Sequence, residues 1–81
     1  MDQITFEKLT KFAQDIVDSG TMVNNDDWWE EFDTGNEILD VNIWLEDGPI
    51  RATAYPTRTL PTGYRETVTD QVFCSLPING G

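Results

Sequence analysis

From residue 38 to residue 46 the chain alternates without a break: Leu39, Val41, Ile43 and Leu45 on one side, Asp40, Asn42, Trp44 and Glu46 on the other. A period of two belongs to a strand with one buried face, and a one-residue slip would turn the whole apolar set to water. Asp47-Gly48 is a turn signal, and Ile50, Ala52 and Ala54 resume the alternation over residues 50–55. Pro49 has no N–H with which to close a two-residue loop. The pattern therefore predicts a loop over 46–49, with Leu45 opposite Ile50. Ile43 then meets Ala52 and Val41 meets Ala54 inside, while Trp44 faces Arg51 and Asp40 lies near Tyr55 outside. The Trp44–Arg51 pair is an expected cation–π contact.

The buried face of this hairpin needs a cover, and residues 5–19 supply one. Leu9, Phe12, Ala13, Ile16 and Val17 recur at steps of three and four, the stripe of an amphipathic helix. Thr5 is the expected N-cap, Ile4 and Leu9 the staple around it, and Gly20 the stop. Residues 56–63, with two prolines and a glycine, read as a loop. Over 64–76, Val68, Val72, Cys74 and Leu76 fit one strand face, whereas Val68, Val72 and Phe73 also fit helical spacing. The threonines and the Val-Phe-Cys run favour strand. Residues 77–81 read as a flexible tail. The expected fold is α+β: one domain over 1–81, with an N-terminal helix packed on a small antiparallel β-sheet.

Charge is distributed very unevenly over this plan. Between Lys11 and Arg51, 39 residues carry eleven carboxylates, all three tryptophans and no positive charge. The net charge of the chain is −10. Such a field repels anionic partners and draws basic ones. It disfavours direct binding to nucleic acid or to an anionic membrane. The densest stretch lies within residues 24–37. Asp26, Asp27, Glu30, Glu31 and Asp33 are interleaved with Trp28, Trp29 and Phe32, in either a short helical turn capped by Asn25 or an irregular acidic loop. Adjacent tryptophans cannot both face one core, so at least one is expected to be partly exposed. Exposed tryptophan within a charged rim is the composition of a binding hot spot. The candidate partner-binding residues are Asp26, Asp27, Trp28, Trp29, Glu30, Glu31 and Asp33, with Asp40, Trp44 and Glu46 flanking them. Arg51, Arg58 and Arg65 are expected to neutralise nearby acids.

Little in the sequence supports catalysis. There is no histidine, so Ser-His and Cys-His nucleophile pairs are excluded. Cys74 is the only cysteine, and it sits in an apolar run that suits a small buried hydrophobe. It provides neither a disulfide nor a zinc site. The paired carboxylates Asp26/Asp27 and Glu30/Glu31 would need a water-excluding cleft to do acid–base work. A calcium loop with Gly35 at its sixth position would put Phe32 where a ligand belongs. No catalytic residue, metal or cofactor is therefore expected. Met1-Asp2-Gln3 lacks the basic-then-apolar start of a signal peptide, and no run approaches the ~20 apolar residues of a membrane span. With one unpaired cysteine, a cytoplasmic location is expected.

In size and charge the chain resembles the small acidic inhibitors found on phages and mobile elements. That resemblance implies a nucleic-acid mimic that occupies the basic groove of a nuclease or other DNA- or RNA-binding protein. Eleven carboxylates match the charge on roughly 19 Å of duplex, five to six base pairs. A second resemblance lies in Leu76-Pro77-Ile78-Asn79-Gly80-Gly81, which looks like the tail of ubiquitin-like and sulfur-carrier proteins. It implies that Gly81 would be adenylated and conjugated. The order of elements departs from that family, which opens with a β-hairpin before its main helix. A third expectation, a structural subunit, uses the acidic surface to form a homodimer or larger assembly.

Overall fold

The computed structural model describes residues 3–45 and 49–79. One helix packs on a small, curled antiparallel sheet, an α+β fold. The helix, α1, runs Gln3–Asp18. It is already helical at Gln3, so Thr5 lies within the first turn rather than at the N-cap. It ends as expected. Gly20 adopts φ 86°, and its N–H donates to Val17 O at 3.1 Å, satisfying a carbonyl that the last turn leaves open. A single 3₁₀ turn, Thr21–Val23, carries the chain over, and Met22 is buried beneath it.

Five strands follow: β1 Asp27–Asp33, β2 Ile38–Leu45, β3 Ile50–Thr59, β4 Arg65–Thr67 and β5 Cys74–Ile78. The β2–β3 register pairs Leu45 with Ile50, Ile43 with Ala52, Val41 with Ala54, Trp44 with Arg51 and Asp40 with Tyr55. Every one of these pairs follows from the alternation in the sequence. The expected loop itself falls mostly outside the described residues, since 46–48 are not among them.

Four expectations fail. Residues 27–33 form neither a helical turn nor a loop but a full strand, paired along its length with β2 from Asp27↔Trp44 to Asp33↔Ile38. Residues 56–59 continue β3 in place of a loop. Pro56 is tolerated there for a geometric reason. Its carbonyl accepts from Val68 N at 2.9 Å, so its nitrogen faces the same edge, where β3 changes partner from β5 to β4. At that junction a missing donor breaks no ladder. Residues 64–76 are not one strand. β4 and β5 are separated by the turn 68–73, and Val72 is 58% exposed instead of lying in line with Leu76. The expected tail also starts too early, because Ile78 is buried and paired with Ile50.

β3 is thus the spine of the sheet. Along one edge it holds β2; along the other it holds β5 at its start and β4 at its end. The core fills the space between α1 and one sheet face, with Leu9, Leu39, Val41 and Ile43 fully enclosed and Ala13, Ile50, Ala52, Ala54, Leu76 and Ile78 around them. Phe12 meets Phe32 of β1 with ring centroids 4.9 Å apart, and Gln14 exchanges hydrogen bonds with the Asn79 backbone beyond β5. The helix is therefore fastened near both edges of the sheet. Among the described residues no helix is long and apolar enough to cross a membrane.

Candidate functional site

Among the described residues no helix covers the sheet face turned away from α1. Strand alternation places Asp27, Trp29, Glu31 and Asp33 of β1 on this face. Beside them stand Asp40, Asn42 and Trp44 of β2, then Arg51, Thr53 and Tyr55 of β3. Trp28, Glu30 and Phe32 point to the helix side. Trp28 and Phe32 pack against the core, and Glu30 is exposed at the margin, accepting from Trp28 Nε1 at 3.2 Å.

On the edge strand of this outer face Trp29 is 48% exposed. Its ring lies 5.8 Å from that of Tyr55 at an interplanar angle of 30°, across the intervening strand β2. An offset, tilted pair of this kind holds both rings while leaving part of the indole open to a partner. Asn42 fixes the first acid by donating from Nδ2 to Asp27 Oδ1, and it also donates to Trp28 O at 3.2 Å. The curl of the sheet brings β4 over the same face. Thr67 Oγ1 donates to Asp40 Oδ2, and Arg65 Nη1 lies 3.3 Å from Glu31 Oε1. Between these side chains is a shallow hollow of about 240 Å³ lined by Trp29, Glu30, Glu31, Asp40 and Thr67. Lower on the face, Arg51 donates to Ser75 Oγ at 3.1 Å, and Thr53 shares a 3.2 Å hydrogen bond with the same hydroxyl.

The structure thus brings Asp27, Trp29, Glu31, Asp33, Asp40 and Trp44 onto one face. Asp26 lies in the approach to β1, where its carbonyl accepts from Leu45 N at 3.0 Å. Trp28 belongs to the core side, Glu30 to the margin, and Glu46 falls outside the described residues. Asp15 and Asp18 sit on α1, in the other layer. The eleven acids therefore do not form a single patch, and the duplex-length match of the sequence estimate does not carry over. Arg65 and Arg58 each meet an acid, Glu31 and Glu66 respectively. Tyr55 and Thr67 join the site without having been counted among its candidate residues. Tyr55 had a signal, since it shares the parity of Arg51 on its strand, but Thr67 arrives only through the curl.

Chemically, the face offers hydrogen-bond acceptors and an aromatic platform. Among the described residues no cluster of three or more acids or thiols is arranged to hold a metal ion. Cys74 lies at the rim of the core, and burial pushes its thiol pKa up, which lowers its nucleophilicity at neutral pH. No family model, curated protein or solved structure matches the chain.

Proposed function

We propose that this is a non-enzymatic interaction protein whose acidic, tryptophan-bearing sheet face binds a basic protein and competes for the surface on which that protein holds nucleic acid. The observation that carries this reading is the half-exposed Trp29, supported on Tyr55 and flanked by Asp27, Glu31 and Asp40, with Asp33 farther along the same face. Buried anchors within a polar rim supply most of the energy of an interface, and tryptophan is prominent among them.

Charge spacing narrows the kind of surface. β1 carries four carboxylates in seven residues, Asp27, Glu30, Glu31 and Asp33. Seven extended residues span about 24 Å, over which a duplex carries about 14 charges and one strand about seven. The acidic edge is thus well below duplex density but more than half as dense as a single strand. Single-strand-binding surfaces also present aromatic rings that stack on bases. An exposed indole among carboxylates suits such a surface better than a duplex groove.

The test is capture of partners on the immobilised protein, followed by competition. A single-stranded oligonucleotide should displace the captured basic protein. Affinity should fall roughly tenfold or more between about 50 and 200 mM salt. Trp29→Ala and Glu31→Lys should each abolish capture without unfolding the chain. Capture that ignores both salt and oligonucleotide would refute the proposal, as would self-assembly alone in light scattering.

A further inference from the structure

β1 is the last strand on its side of the sheet, and among the described residues nothing pairs with its free edge. Which of its backbone groups point outward follows from the two ends of the β1–β2 ladder. Leu45 N donates to Asp26 O at 3.0 Å, and Thr34 N donates to Glu37 O at 2.9 Å, so Asp26 and Thr34 face β2. Antiparallel alternation then turns Trp28, Glu30 and Phe32 to β2 as well, and aims the N–H and C=O groups of Asp27, Trp29, Glu31 and Asp33 away from it. These four residues are also the ones whose side chains lie on the outer face. The open backbone and the acid-and-tryptophan face are one margin.

Open edges usually invite a second copy of the same chain. Here charge opposes it. Antiparallel self-pairing centred on Glu30 would set Asp27 against the copy's Asp33 and Glu30 against its own counterpart. Like charges directly opposite one another destabilise a pair. A strand with lysine or arginine at alternate positions meets the reverse situation, with each cation opposite an acid and an aliphatic stem beside Trp29.

We infer that the β1 edge takes up an extended, basic segment of a partner protein as an added antiparallel strand. Its backbone hydrogen-bonds to Asp27, Trp29, Glu31 and Asp33, and its alternate cations lie over the carboxylates of the outer face. This rests on the reading of that face as a site for basic partners, and it specifies the partner's form: an unfolded arm or loop, not a preformed groove.

The probe is a short capped peptide alternating lysine and valine, in three versions: unmodified, N-methylated at the lysines, and N-methylated at the valines. In the added strand the lysines face β1 with their N–H groups and the valines turn theirs away. The unmodified and valine-methylated peptides should bind saturably, while lysine methylation should weaken binding at least about tenfold. At saturation, amide exchange should slow at Asp27, Trp29, Glu31 and Asp33 and stay unchanged at Trp28, Glu30 and Phe32. Glu31→Pro removes one outward N–H and no β1–β2 bond, so it should weaken binding more than Glu31→Gln does; should it misfold, the methylated pair still decides. Equal binding of the two methylated peptides overturns the strand addition and leaves the acidic face standing. Failure of every lysine peptide to bind overturns both.

Discussion

Trp28 and Trp29 adjoin in sequence yet serve different layers, because a strand turns consecutive side chains to opposite faces. Trp28, like Phe32, packs against the core, so Trp28→Ala should lower unfolding stability by about 2–4 kcal/mol in a denaturant titration. Trp29→Ala removes a half-exposed ring and should cost about 1 kcal/mol or less by the same measurement, while abolishing partner capture. Reversal of that order would mean that Trp29 is structural. Cys74 makes a second prediction at this scale. Its thiol pKa is raised by burial, so the neutral form is favoured in the folded state. The associated stability is present below the unfolded thiol pKa and is lost as pH rises through the folded one. A thiol reagent should therefore label the native protein more slowly than the unfolded chain near neutral pH, and the gap should narrow only in alkaline solution.

Among the elements, β2 and the first half of β3, residues 50–55, were legible down to the register, because one buried face forces an uninterrupted apolar alternation and any slip would expose it. The helix was legible from its stripe and from Gly20. β1 was not, since the Trp28-Trp29 and Glu30-Glu31 doublets hide the period of two and Glu30 takes an inward position at the open margin. Its turn chemistry was present all the same: Asp33 Oδ1 accepts from Gly35 N at 2.8 Å, and Gly35 adopts φ 93°. Of the ten candidate partner residues, alternation explains why Asp27, Trp29, Glu31 and Asp33 converge while Trp28 departs. That Asp40 would meet Thr67 depends on curl, which no local pattern records. Pro56 misled for the opposite reason, being a breaker placed where nothing needs its missing N–H. Pro56→Ala should accordingly change stability by less than about 1 kcal/mol in thermal or chemical unfolding. A larger loss would show that the proline holds the bend between β5 and β4.

For the whole molecule, a net charge of −10 is confined within extents of 41 × 27 × 21 Å. At about 0.01 M salt the Debye length, roughly 30 Å, is comparable to the protein itself, whereas at 0.15 M it is about 8 Å. Self-repulsion is then screened between all but near neighbours. Melting temperature should rise over this range, although partner binding weakens. A melting point indifferent to salt would show that the acids are already compensated within the fold. The position of β5 has a further consequence. Leu76 and Ile78 close the core against Ile50 and Ala52. During translation, then, the helix and first hairpins must wait unsealed until residues 74–78 clear the ribosome. A stop codon ahead of Leu76 should yield an aggregating product rather than a smaller native protein.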